Sequence, residues 1–146
     1  MKRKKTTSIP LKILRIEHDG LHLLVMAKIN GKNARLIVDT GASRTVFDKK
    51  RIQKFVKDKK FKKHEGISTG LGTNSMESHV VKIDKIEIGK LVLNEFVFVL
   101  LDLSHVNSSY AQIGMKEIDG VLGGDILMNH KAVIDYGKKK ISLNLD

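Results

Sequence analysis

The chain has 146 residues, a length that fits one domain with one core. It contains no Cys, which excludes a disulfide scaffold and any Cys-ligated zinc or iron–sulfur site. A hydrophobic fraction of 41% with only 5% aromatics predicts an aliphatic core, and 27 basic against 16 acidic residues leave a net charge of +11.

The first residues, Met1-Lys2-Arg3-Lys4-Lys5, resemble the basic start of a signal peptide. The apolar stretch that should follow is interrupted by Lys12, Arg15, Glu17, His18 and Asp19. No apolar run reaches the roughly 18 residues of a membrane span. The expectation is a soluble, cytoplasmic chain that does not enter a membrane, with a basic tail over 1–8 and one folded domain over 9–146.

In chain order, Ile9–Glu17 alternates apolar residues (Leu11, Ile13, Ile16) and predicts a strand, with His18-Asp19-Gly20 as a hairpin turn. Leu21–Ile29 is a second strand, followed by the two-residue turn Asn30-Gly31. Ala34–Val38 is a third, its run Leu36-Ile37-Val38 indicating burial on both faces before Asp39-Thr40-Gly41. Over Asp48–Lys63, Phe47, Ile52, Phe55 and Val56 recur at helical spacing among nine basic residues, predicting an amphipathic helix capped by Asp48. Gly66–Asn74 is a glycine-rich loop or hairpin tip. Val80–Ile88 and Leu91–Leu101 are strands joined by Gly89-Lys90, and Asp102–Glu117 is a polar, irregular connection. Ile118–Leu122 is a short strand, Gly123–His130 a short helix, and Ala132–Asp135 with Lys140–Leu145 a closing hairpin around Tyr136-Gly137. The class is all-β with one or two short helices.

The chemically informative segment is Leu36-Ile37-Val38-Asp39-Thr40-Gly41-Ala42-Ser43. A carboxylate at the end of a buried strand sits on a stiff, partly dry platform, where its proton affinity can be tuned. Gly41 permits close backbone approach, and Thr40 can hydrogen-bond into a neighbouring loop. The bland alternative is an exposed Asx-turn at a strand end.

This segment resembles the active-site loop of aspartic proteases, and its Asp-Thr-Gly-Ala form resembles the single-lobe, retropepsin-like branch. Independently, Ile118-Asp119-Gly120-Val121-Leu122-Gly123-Gly124-Asp125-Ile126-Leu127 resembles that family's apolar–apolar–Gly strand leading into a helix, with Val121, Leu122 and Gly123 as the matching residues. The resemblance spans about residues 21–145. It implies a closed acid-protease barrel, close packing of Gly123 beside the Asp-Thr-Gly loop, and a flap over substrate at Gly70, Leu71 and Gly72. Gly124-Asp125 stands where retroviral members carry Arg-Asn, which is closer to bacterial members.

Granted that fold, Asp39 is the catalytic residue, Thr40, Gly41 and Ala42 support it, and the reaction needs no metal and no cofactor. Only one Asp-Thr-Gly is present; Asp119-Gly120 lacks the intervening residue, and Asp135-Tyr136-Gly137 reads as a hairpin turn. The second carboxylate must therefore come from another chain, so the expected partners are a second copy in a homodimer and a peptide or protein substrate. Ala42 offers no hydroxyl to favour the charged form of the aspartate, which implies a mildly acidic to near-neutral optimum. The alternative is a catalytically silent dimerisation or peptide-binding module of the same fold. The basic stretch 49–63 reads as a solvated helix face rather than a nucleic-acid surface, since Phe47, Phe55 and Phe61 read as core anchors. The six His show no metal-ligand spacing.

Overall fold

The two-residue turn Asn30-Gly31 joins the first long antiparallel pair of the molecule, with φ of 49° and 83° at the two positions. Those left-handed values are what a type I′ turn requires, and Asn and Gly are the residues that adopt them with least strain. The computed structural model describes residues 5–16, 20–57, 61–63 and 78–146. Eleven strands, two α-helices and one 3₁₀ turn are formed among the described residues.

Strands β1 (Thr6–Pro10), β2 (Lys12–Ile16), β3 (Gly20–Ile29) and β4 (Lys32–Val38) come first. Then follow β5 (Val46–Asp48), the 3₁₀ turn Arg51–Lys54, β6 (Lys62–Lys63), β7 (His79–Ile88) and β8 (Leu91–Leu101). Helix α1 (Ser104–Gln112), β9 (Gly120–Leu122), helix α2 (Gly124–Asn129), β10 (Val133–Asp135) and β11 (Lys140–Asn144) complete the chain. Hydrogen-bonded neighbours run β3-β4-β9-β5-β8-β7, and β7 pairs back onto β3 through Ile86 and Glu87. That ring is a six-stranded barrel, closed as the resemblance implies. Closure removes most free edges, and β2 and β6 attach outside the ring.

The barrel interior is aliphatic. Ile29, Ala34, Ile52, Ile83, Leu100, Leu122, Ile141 and Leu143 have no measurable exposure, and Phe47 stacks edge-on against Phe98 with centroids 5.1 Å apart. A second cluster of Leu14, Leu24, Tyr110 and Ile118 packs α1 against the outer face of β2–β4. The smaller sheet β1-β11-β10 lies beside the barrel, with Ile9 and Ile141 facing the common core.

Four local expectations are corrected. The predicted strand over 9–17 divides at Leu11. Pro10, with no N–H to donate, ends β1 on β11, whereas β2 pairs with β3. Residues Thr6–Ser8, assigned to a tail by sequence, are part of β1 and pair with Ser142, Leu143 and Asn144. Among the described residues of 48–63, the end of a strand, one 3₁₀ turn and the short β6 stand in place of the expected helix. Residues 102–117, expected to be irregular, contain α1. Among the described residues, no helix is long and apolar enough to cross a membrane.

Candidate active site

Asp39 follows directly on β4, whose parallel neighbour β9 places Val38 opposite Leu122 and Ile37 opposite Val121. The Asp39 N–H donates to the Leu122 carbonyl at 3.0 Å, which carries the pairing one residue beyond the strand. The chain then turns tightly. Gly41 N–H donates to Asp39 Oδ1 at 2.9 Å, and Ala42 N–H donates to the Asp39 carbonyl at 3.2 Å. A Cβ on residue 41 would stand 3.3 Å from that same Oδ1, so Gly41 is what lets the backbone close on the carboxylate. Among the described residues, no hydrogen bond reaches Oδ2 of Asp39. The Asp39 side chain is exposed rather than partly dry, as one chain alone presents it.

The β9–α2 junction holds the other side of the loop. Gly124 N–H donates to the Ala42 carbonyl at 2.7 Å, and Gly123 N–H donates to Thr45 Oγ1 at 3.0 Å. A Cβ on Gly123 would lie 2.6 Å from both C and O of Arg44 and 2.9 Å from Thr45 N, a contact with backbone that no side chain can relieve. Gly120 is equally constrained, 2.6 Å from the Val46 carbonyl and from the Phe47 ring. The Asp39 loop and the Val121-Leu122-Gly123 segment are thus cross-threaded at backbone contact.

Of the residues expected at the site, Asp39, Gly41, Ala42, Val121, Leu122 and Gly123 are brought together. Thr40 adjoins them and is exposed, and among the described residues its hydroxyl makes no hydrogen bond. Gly70, Leu71 and Gly72 lie outside the described residues. The two other Asp-containing candidates have different duties. Asp135 Oδ1 accepts the Lys138 N–H at 2.8 Å within the β10–β11 turn. Asp119 is buried, accepting the Arg35 N–H at 2.8 Å and the Arg51 Nε–H at 2.8 Å.

Sequence reasoning overlooked Thr45 and the positional role of Asp125. Asp125 Oδ1 accepts from Thr45 N–H at 2.9 Å, from Thr45 Oγ1 at 2.7 Å and from Ile126 N–H at 2.8 Å. An Asp in the first turn of a helix, six residues after another Asp in a Gly-rich run, was the available signal. Among the described residues, no group of three or more His, Asp or Glu side chains gathers as a metal site.

A family model described as aspartyl protease matches residues 25–126. Among solved structures, a retropepsin-like aspartic protease from Rickettsia conorii is 25% identical, covering 99% of this chain and 95% of its own, with a TM-score of 0.56. The EIAV protease in complex with the inhibitor HBY-793 is 17% identical over 80% of this chain and 93% of its own, with a TM-score of 0.54. The retroviral protease-like domain of Ddi1 from Leishmania major is 19% identical over 79% and 82%, with a TM-score of 0.51. No match is found among curated proteins. The cross-threaded Asp-Thr-Gly loop, the closed barrel around it and the family match over most of the chain agree: this chain belongs to the aspartyl protease family and has the retropepsin-like fold.

Proposed function

We propose that the protein is an aspartic endopeptidase whose active site is completed by two copies of the chain, each supplying one Asp39. The observation that carries this reading is a single Asp-Thr-Gly with Asp39 exposed at the end of β4 and one carboxylate oxygen held by the Gly41 N–H. Peptide hydrolysis of this type needs two carboxylates that share one proton, because like charges about 3 Å apart cannot both ionise. The ionised carboxylate takes a proton from water, and the oxygen of that water attacks the scissile carbonyl carbon. The protonated carboxyl gives its proton to the carbonyl oxygen. Collapse of the resulting diol breaks the C–N bond, and the amine leaves with a proton returned from the dyad.

In this reading Thr40, Gly41 and Ala42 set the position of Asp39, and Val121, Leu122 and Gly123 hold that loop from behind. Gly70, Leu71 and Gly72 form the flap that closes on a peptide or protein substrate. In this reading the chemistry uses no metal or cofactor and takes place in the cytoplasm.

A second reading rests on the same exposed carboxylate: the chain is a silent module that pairs or binds peptide without turnover. Cleavage of a fluorogenic peptide mixture by the native chain and by Asp39→Asn, with the oligomeric state measured in parallel, separates the two. Turnover by the native dimer that is lost in Asp39→Asn supports the endopeptidase. A confirmed dimer with no turnover supports the module, and turnover that survives the substitution contradicts the dyad.

A further inference from the structure

The Asp39 loop is held at three points along its length. Asp39 N–H donates to the Leu122 carbonyl at its entry, and Gly124 N–H donates to the Ala42 carbonyl at its middle. At its exit Thr45 gives both its N–H and its hydroxyl to Asp125. Between the last two points lie Ser43 and Arg44, both exposed. The backbone of Arg44 is nevertheless fixed, because its C and O lie so close to Gly123 that a Cβ there would stand 2.6 Å from each. Arg44 is a long cationic side chain on a firmly placed stretch of backbone.

It differs in its pairing from the arginines nearest to it in the chain. Arg35 Nε donates to the Glu117 carbonyl at 3.2 Å, and Arg51 pairs with Glu117 at 2.6 Å and with Asp119 at 2.8 Å. Among the described residues, the Arg44 guanidinium makes no hydrogen bond and no ion pair. Two carboxylates close to it in the fold are already engaged, Asp125 by Thr45 and Ile126, and Asp48 by the N–H groups of Arg51 and Leu103. A guanidinium stays charged and carries its donors in a planar fork that matches a carboxylate. The net charge of +11 adds a general attraction for acidic chains.

The chain bounds the distance from Arg44 to Asp39. The Ala42 N–H bond to the Asp39 carbonyl closes a turn, which keeps the two Cα atoms within about 7 Å. Arg44 follows two residues later, at most about 7.6 Å further on. The Cα atoms of Asp39 and Arg44 are therefore no more than about 15 Å apart, the length of roughly four extended residues.

We propose that Arg44 is a specificity-determining residue that selects peptide substrates carrying Asp or Glu within four residues of the scissile bond. The proposal rests on the endopeptidase reading of Asp39 and adds a substrate class to it. The guanidinium binds the substrate carboxylate through paired N–H donors. With two copies completing the site, one Arg44 serves each side of the bond, so acidic residues are favoured on both sides.

The test has two readouts. In the first, a peptide library is cleaved and the cut sites are read by mass spectrometry. The native chain should cut preferentially where Asp or Glu lies within four residues, and Arg44→Glu should favour Lys or Arg at the same positions. For an acidic substrate found in this way, KM should rise about tenfold in Arg44→Glu while kcat changes less, because an attraction in binding becomes a repulsion. The second readout needs no turnover. The full chain carrying Asp39→Asn is titrated with a fluorescein-labelled decapeptide of alternating Glu and Leu, and binding is read by anisotropy. Adding Arg44→Glu should weaken binding about tenfold. Adding Lys90→Glu instead, an exposed reversal in the β7–β8 turn, should leave it unchanged. Cleavage with no acidic preference, or with one that Arg44→Glu does not alter, overturns the proposal and leaves the endopeptidase reading standing. Binding that depends on Arg44 in a chain that cleaves nothing supports the acidic-peptide site and overturns the endopeptidase reading. Equal weakening by Lys90→Glu shows a general charge effect and overturns the proposal. So does loss of the dimer in Arg44→Glu by sedimentation, which would assign Arg44 to a carboxylate of the second copy.

Discussion

Thr45 and Asp125 are joined by two hydrogen bonds to one carboxylate oxygen, from the Thr45 N–H at 2.9 Å and its hydroxyl at 2.7 Å. The hydroxyl oxygen in turn accepts the Gly123 N–H at 3.0 Å. This short relay connects the far end of the Asp39 loop to the first turn of α2 and to the glycine that follows β9. It fixes the loop at its exit as the Asp39–Leu122 backbone bond fixes it at its entry.

Removing the hydroxyl should therefore cost more than one hydrogen bond. Thr45→Val is isosteric but leaves the Gly123 N–H without its acceptor, and Thr45 is buried. An unsatisfied buried donor costs about 1–3 kcal/mol. Urea unfolding should show Thr45→Val destabilised by about that amount and Thr45→Ser by clearly less, since Ser keeps the relay. Equal stability in the two variants would mean that the relay contributes nothing.

Gly123 tests the cross-threading itself. Its Cβ would meet backbone atoms of Arg44 and Thr45 at 2.6–2.9 Å, whereas a Cβ on Gly124 would stand 3.3 Å from the Ala42 carbonyl. Gly123→Ala should destabilise by about 1–3 kcal/mol or more, and Gly124→Ala by less, because only the first forces two backbone segments apart. Thermal melts of both variants check this ordering. A Gly123→Ala protein as stable as the native chain would show that the two segments are not in backbone contact.

Tyr110 gives the molecule a defined alkaline behaviour. It is buried on the inner side of α1 and shares a 2.6 Å hydrogen bond with His22 Nδ1. Burial pushes its phenol above the ordinary tyrosine range, and the nearby Arg35 charge works weakly in the opposite direction. A group whose proton is held more tightly in the folded chain contributes stability that is fully present below its unfolded pKa, roughly 10. That contribution is lost as pH rises from there through the folded value. In an ultraviolet titration of the folded chain, Tyr110 should ionise above the ordinary tyrosine range. Tyr110→Phe should flatten the alkaline loss of stability. Ionisation of Tyr110 within the ordinary tyrosine range in the folded protein would contradict this.

The elements legible in the sequence are those with local causes. Apolar segments bounded by turns marked β3, β4, β7 and β8, the run Leu36-Ile37-Val38 marking β4; Asn30-Gly31 marked its own turn, and the two segments that flank the site were readable as Asp-Thr-Gly-Ala and Val-Leu-Gly. The misread elements depend on distant partners. Phe47, Ile52 and Phe55 are all buried, as a helix face would require, yet Phe47 enters the core from β5, which pairs with β8 and β9 across more than fifty residues. Asp48 then accepts N–H groups from both Arg51 and Leu103, so it ends a strand and ties a turn to the start of α1. Helix α1 itself has the poor helix-forming sequence Ser-His-Val-Asn-Ser-Ser-Tyr-Ala-Gln. It is held by Tyr110 in the outer cluster and by Asn107, whose side chain both donates to and accepts from the Ile118 backbone. At the site, Asp39 was found from its tripeptide, whereas Thr45 was missed because its significance lies in Asp125 and Gly123, about eighty residues away.

The central claim is that a working site contains Asp39 from two copies, and a mixing experiment tests it most directly. Native chain and Asp39→Asn are combined at fixed total concentration, allowed to exchange, and assayed for peptide cleavage. If both carboxylates are needed, activity follows the square of the native fraction, so an equal mixture retains about one quarter of the native rate. A rate that falls only in proportion to the native fraction, to about one half in the equal mixture, would show that each chain acts alone.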